Sequence, residues 1–169
     1  GLPGSGKTTV GRQLARRIGW RFVDSDHVLE LRIGASIREF FEREGEAAFR
    51  DLEEAVIDEL TLGDNCVLST GGGAVLRPAN RQYLHARTTT VYLHSAPEEV
   101  FRRLRHDQNR PLLQVADPLA RLNELYLVRD PLYRDTAHLV IETGRPSVAS
   151  LVSAIMLELK LQACEPPLT

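Results

Sequence analysis

The chain opens on Gly1-Leu2-Pro3-Gly4-Ser5-Gly6-Lys7-Thr8, which satisfies the pattern G-x-x-x-x-G-K-[ST]. Glycines in this spacing let the backbone curl until successive N–H groups point at phosphate oxygens, and the N-terminus of a following helix adds partial positive charge. That helix is expected here, because Val10, Leu14 and Ile18 repeat on one face. Lys7 is then placed to reach the terminal phosphates of a nucleotide, with the Thr8 hydroxyl as a ligand for Mg²⁺. Such a loop is normally launched by a buried strand, and no residue precedes Gly1. The expectation is a fragment or a lost upstream segment, since omitting a central strand would expose the ladder groups and apolar surface of its neighbours.

At 169 residues with 43% hydrophobic side chains, the sequence has the size and apolar content for one core. The formal net charge of −2 excludes an overall basic field that would favour nucleic acid or an anionic membrane. Any site for an anionic ligand must therefore be local. Of 21 basic residues only Lys7 and Lys160 are lysine, so arginines supply nearly all the positive charge and position must decide which ones matter. Cys66 and Cys164 lack the spacing of a zinc site or a disulfide framework, and His27, His85, His94, His106 and His138 form no metal-binding pair. The most apolar segment, 150–161, is too short to span a bilayer, and no charged, then apolar, leader opens the chain. A cytoplasmic protein is expected, without a nucleic-acid or membrane partner. A monomer is expected too, as no apolar stripe is left over once core helices are assigned.

Periodicity and turn signals alternate between the two regular structures. Helices are expected over 7–18, 26–33, 37–43, 46–60, 78–85, 97–105, 118–128 and 147–161, and strands over 21–24, 66–70, 89–94 and 138–142. Ser36 and Glu39 read as a capping box for the helix carrying Phe40 and Phe41. Strands separated by helices give an α/β fold with a parallel sheet in a single domain over 1–169. The polar, proline-interrupted stretch 106–117 reads as a lid.

Two further motifs bear on chemistry. The strand at 21–24 ends in Asp24-Ser25-Asp26, two carboxylates at the carboxyl end of a parallel strand, where open α/β sheets bind ligands. If the strand conformation continues, both side chains share a face. Capping of the next helix, by Asp26 as readily as by Asp24, explains one acid more easily than two. The strand at 66–70 ends without an acid and runs into Gly71-Gly72-Gly73. Asp24 is thus the candidate carboxylate for Mg²⁺, and three bare residues suit a backbone that must approach a small ligand.

Taken together, GLPGSGKTT at the start, DSD at 24–26, FRDLE at 49–53, STGGGAV from Ser69, NRPLL at 109–113 and RDPLY at 129–133 resemble the shikimate kinase family of P-loop kinases. The likeness runs from Gly1 to about Leu161 and implies a three-layer α/β/α fold with a five-stranded parallel sheet, its first strand absent from this sequence. It further implies a lid over about 104–117 and an acceptor-binding helical region over about 25–54. The implied reaction is transfer of the γ-phosphate of ATP to the 3-hydroxyl of shikimate, with Mg²⁺, on the route to chorismate and aromatic amino acids. The resemblance places ATP on Gly1, Pro3, Gly4, Ser5, Gly6, Lys7, Thr8 and Thr9, with Arg103 stacked on adenine and Arg145-Pro146 as its other wall. It assigns the shikimate carboxylate to Arg50 and Arg129, and the hydroxyls to Asp26 and the Gly71–Gly73 backbone. Phe41 and Phe49 would flank the ring, although both serve equally well as core residues. Catalysis would fall to Lys7, Asp26 and the lid's Arg110, and the metal to Thr8 and Asp24.

Arg50 and Glu53 stand one helical turn apart, a spacing that can hold a guanidinium in place. The unperturbed pKa of Asp26, about 3.9, would make it a feeble base, so positioning and charge neutralisation should supply most of the rate. Two other readings compete. A gluconate-type or nucleoside monophosphate kinase is disfavoured by DSD, Arg50, GGG and Arg129 occurring together. A nucleotide-binding module without turnover has no need for Lys7, Thr8, Asp26 and Arg110 at once.

Overall fold

Short β-branched runs too apolar for solvent pair side by side, and amphipathic helices cover them. The computed structural model of the chain describes residues 1–107, 114–144 and 146–164. The helices are α1 (Lys7–Ile18), α2 (Ser25–Ile33), α3 (Ile37–Glu44), α4 (Glu46–Leu60), α5 (Pro78–Arg87), α6 (Pro97–Leu104), α7 (Pro118–Thr136) and α8 (Val148–Cys164). Between them lie β1 (Arg21–Asp24), β2 (Cys66–Ser69), β3 (Val91–His94) and β4 (Leu139–Glu142), and a 3₁₀ turn spans Ala74–Leu76.

The strands form two parallel pairs. In one, Arg21 to Asp24 of β1 match Cys66 to Ser69 of β2; in the other, Val91 to His94 of β3 match Leu139 to Glu142 of β4. Both pairings follow the expected parallel register, but the described strands make two two-stranded sheets rather than one. A cavity of about 570 Å³ separates them, lined by Val67, Leu68, Val91 and Leu93 from the strands, Val10 and Leu14 from α1, and Ile155 from α8.

Three apolar clusters hold the layers. On one face Val10, Leu14, Leu93, Leu151, Val152 and Ile155 join α1 and α8 to the strands. On the other, Leu2, Val75, Tyr92, Val100, Leu104, Leu122 and Tyr133 bring α6 and α7 against β3. The third, Leu29, Phe49 and Val56, packs α2, α3 and α4 into a helical cap beside β1. Each fully buried aliphatic side chain contributes about 1.5–3 kcal/mol to this arrangement.

Element ends agree with the sequence expectations to within a few residues except in α7. A stop at 128 was expected because proline lacks the N–H that an interior helical position donates. The helix instead runs through Pro131 to Thr136. Leu127, whose carbonyl Pro131 leaves without its helical partner, is 74% exposed, so water can serve it. Beyond the proline, Tyr133 and Thr136 are buried, and the Tyr92 hydroxyl donates to Asp130 Oδ1 at 2.7 Å. Packing outweighs the roughly 3 kcal/mol that interior proline costs.

His85, His94 and His138 make structural contacts, while His27 and His106 are exposed. His94 lies between Glu142 and Tyr126, at 2.7 and 2.9 Å, while His85 stacks on His138 with ring centroids 4.4 Å apart. Among the described residues no group of three metal-binding side chains converges, and no helix is long and apolar enough to cross a membrane.

Candidate active site

The Gly-rich loop turns back on itself before α1 begins. Gly4 and Gly6 take φ of 81° and 93°, left-handed values that cost other L-residues strain. The turn closes with Ser5 N–H donating to the Leu2 carbonyl at 3.1 Å, and Val10 N–H reaches back to the Gly6 carbonyl at 3.0 Å. Lys7 folds over the loop, its Nζ donating to the carbonyls of Gly1 and Leu2, each at 2.9 Å. Pro3 and Thr8 are half-buried at the mouth and Thr9 is exposed.

The carboxylates of 24–26 divide their duties differently from the expectation. The strand ends at Asp24 and α2 starts at Ser25, so strand alternation does not put the two acids on one face. Asp24, not Asp26, is the cap: its Oδ1 accepts from Asp26 N–H at 2.9 Å and from His27 N–H at 3.4 Å. The other oxygen, Oδ2, accepts from Thr8 Oγ1 at 3.4 Å. A hydroxyl and a carboxylate oxygen at the start of α1 form a hard donor pair suited to Mg²⁺.

Asp26 lies in the first turn of α2, against the glycine run. A Cβ on Gly71 would meet its Oδ1 at 2.7 Å, so a side chain there would displace the carboxylate. Burial, then the charges of Asp24 and Glu53, push the Asp26 carboxyl up to about 6, against the opposing pull of Lys7. The expected ordinary, feeble base is thus corrected: the site makes Asp26 a better proton acceptor near neutrality.

Arg50 and Glu53 meet on α4. Arg50 Nη1 donates to Glu53 Oε1 at 2.8 Å, and Nη2 reaches Glu46 at 3.4 Å. Glu53 is 1% exposed, and its burial raises its carboxyl pKa even though Arg50 draws it down. Arg50 Nε is buried and has no protein partner. Directly beside it, a Cβ on Gly73 would come within 2.6 Å of Arg50 Nη1. The guanidinium also lies over Phe49 and Phe41, 5.2 and 6.0 Å from their centroids. Phe49 is 3% exposed and packs in the helical cap, whereas Phe41 is half-buried beside it, their rings 4.7 Å apart. The two phenylalanines thus form a floor under Arg50.

Arg129 approaches from α7. Its charge lowers the pKa of Glu53, as the charges of Arg50 and Arg77 do, and that of the Tyr133 hydroxyl. Several other arginines are spent on surface pairs, such as Arg32 with Glu59, Arg77 with Asp51 and Arg87 with Asp58. Tyr133 is a site residue that sequence reasoning missed. Its hydroxyl donates to the Gly72 carbonyl at 2.6 Å. The i,i+4 spacing of Arg129 and Tyr133 would have revealed the contact had the helix been carried past Pro131.

At the far end, Arg103 Nη2 donates to the Thr143 carbonyl at 2.7 Å, tying α6 to the turn that carries Pro146. Arg102 and Arg105 are exposed. Arg110 and Arg145 lie outside the described residues.

A G-x-x-x-x-G-K-[ST] loop that opens a helix on a scaffold of parallel strands and covering helices places the chain in the class of P-loop nucleotide-binding proteins. Comparison with known proteins narrows that class. The family model for shikimate kinase matches residues 3–160, and the chain belongs to the shikimate kinase family. It is 62% identical to the shikimate kinase of Paracidovorax citrulli over 170 residues, covering 99% of this chain and 93% of that protein. Among solved structures, the shikimate kinase of Acinetobacter baumannii in complex with shikimate is 44% identical with a TM-score of 0.92, covering 98% of this chain and 92% of that one. A gluconokinase from Sinorhizobium meliloti shares the fold alone, at 17% identity and TM-score 0.54, covering 95% of this chain and 93% of that one.

Proposed function

We propose that this chain transfers the γ-phosphate of ATP to the 3-hydroxyl of shikimate, yielding shikimate 3-phosphate and ADP. The observation that supports the acceptor is that Asp26 and Arg50 pack against Gly71 and Gly73, while Tyr133, one turn after Arg129 on α7, holds the Gly72 carbonyl between them. This arrangement supplies two forks for one carboxylate and a single acceptor for a reacting hydroxyl. Gluconate and nucleoside monophosphate kinases share the class, but the likeness to a gluconokinase extends to the fold only.

The chemistry follows from what each group can hold. Main-chain N–H groups of the loop and the α1 N-terminus cradle the phosphates, and Lys7 exchanges its two loop carbonyls for phosphate oxygens. Mg²⁺, held by Thr8 and Asp24, supplies neutralising charge on the phosphate oxygens when bound. Arg50 and Arg129 fix the shikimate carboxylate, which leaves the ring hydroxyls against Asp26 and the glycine backbone. Asp26 accepts a hydrogen bond from the reacting hydroxyl, whose oxygen forms the new bond to phosphorus as the bond to ADP breaks. The hydroxyl proton leaves through the Asp26 carboxylate. Little deprotonation is needed early in a loose transition state, so orientation dominates the rate. Domain organisation follows the same reading: one kinase domain, with residues 25–54 serving the acceptor and 104–117 the lid.

A coupled assay of ADP release tests the assignment. Shikimate-dependent turnover is expected, reduced about 10²-fold or more in a folded Asp26→Asn variant. Turnover with gluconate or a nucleoside monophosphate and none with shikimate would overturn it.

A further inference from the structure

The Tyr133 hydroxyl stands between the two halves of the acceptor site. It donates to the Gly72 carbonyl at 2.6 Å, and Arg129 stands one turn earlier on the same face of α7. The ring below that hydroxyl is fixed: Tyr133 is 4% exposed and its ring packs on Tyr92 with centroids 4.8 Å apart. A trans peptide is planar, so holding the Gly72 carbonyl also sets the direction of the Gly73 N–H, which points the opposite way. Three successive glycines have no side chains to hold that plane, and each can rotate widely. An external anchor is what such a run needs if its backbone is to present a donor in a fixed direction.

We infer that Tyr133 is a positioning residue for the acceptor: its hydroxyl fixes the Gly72–Gly73 peptide and the Arg129 guanidinium relative to each other, and so matches the distance between a ring hydroxyl and a ring carboxylate. The inference rests on the reading of Arg129 as a carboxylate ligand. It adds a specificity role for a residue that touches neither phosphate nor nucleotide. A ligand carrying only the anion, or only the hydroxyls, gains little from this coupling.

Steady-state kinetics of Arg129→Ala, Tyr133→Phe and the double variant separate the possibilities. Tyr133→Phe keeps the ring and its packing. The expected result is a KM for shikimate raised about 5–10-fold, a KM for ATP within about twofold of the parent, and a nearly unchanged melting temperature. The double variant should resemble Arg129→Ala alone, because the two groups act as a unit. A Tyr133→Phe enzyme with unchanged shikimate KM, effects that multiply in the double variant, or loss of fold on removing the one oxygen would each overturn the proposal. Tyr92→Phe serves as the structural control, since its hydroxyl ties α7 through Asp130 and does not touch Gly72. The same KM split in that control would assign the effect to helix attachment and also overturn it. If Arg129→Ala itself leaves the shikimate KM unmoved, the carboxylate reading has failed, a result distinct from failure at Tyr133 alone.

Discussion

From Gly1 to Thr9, the groups placed to meet phosphate come from one loop and the first turn of α1, and most are main-chain N–H groups. The proposed acceptor groups, Asp26, Arg50, Arg129 and the Gly71–Gly73 backbone, come from four separated stretches, and most are held by something else. Arg50 leans on Glu53 and two phenylalanine rings, the Gly72 carbonyl on Tyr133, and Asp26 sits in the first turn of a helix capped by Asp24. The nucleotide side therefore depends on the conformation of a few consecutive residues. The acceptor side depends on tertiary packing, and is correspondingly easier to disturb from a distance.

The contrast is sharpest at Lys7. Lys7→Ala removes a charge that main-chain donors cannot replace, so kcat should fall about 10³-fold while the melting temperature barely moves. A large loss of stability instead would mean the phosphate loop is also held by tertiary support. Glu53→Gln probes the opposite regime. Leaving Arg50 beside an uncharged buried amide should cost about 3 kcal/mol, roughly 6–12 °C in melting temperature for a chain of this size. The shikimate KM should rise with it and the ATP KM should not. If both KM values rise together, the two sides are less independent than their construction suggests.

The smallest effect concerns the start of the β3–β4 pair. His138 Nδ1 accepts from Thr90 N–H at 2.9 Å, and its ring stacks on His85. Burial, and then the neighbouring imidazole, lower the His138 pKa. Because the folded value lies below the unfolded value of about 6.5, this contribution to stability is complete above that pH and is lost as pH falls through the folded value. His138→Asn, whose Oδ1 can accept the same hydrogen bond, should flatten that part of the acid dependence. The difference should be under about 2 °C in a melting curve taken between pH 7 and 5. An equal acid dependence in both proteins would remove His138 from the account.

How far the sequence could be read follows the same division. The phosphate loop is contiguous, so its pattern and its helix were legible from Gly1 to Ile18. Parallel strand pairs and the span of α4 were legible too, because their apolar spacing is local. Arg50 and Glu53 could be paired by helical spacing, but that Glu53 is buried could not. Asp26 looked like an ordinary acid because the neighbours that raise its pKa come from elsewhere in the fold or depend on burial. Tyr133 was hidden by Pro131: a local rule ended the helix, and long-range packing of Tyr92, Asp130 and Tyr133 overrode it.

Asp24 serves both sides, with one carboxylate oxygen capping α2 and the other facing Thr8. For anyone grafting a new acceptor specificity by exchanging residues 25–54, this sets the seam of the graft. The incoming segment can change its arginines and aromatic floor freely, but it must begin after an aspartate already committed to the phosphate side. A cut one residue earlier would exchange a piece of the engine along with the tool.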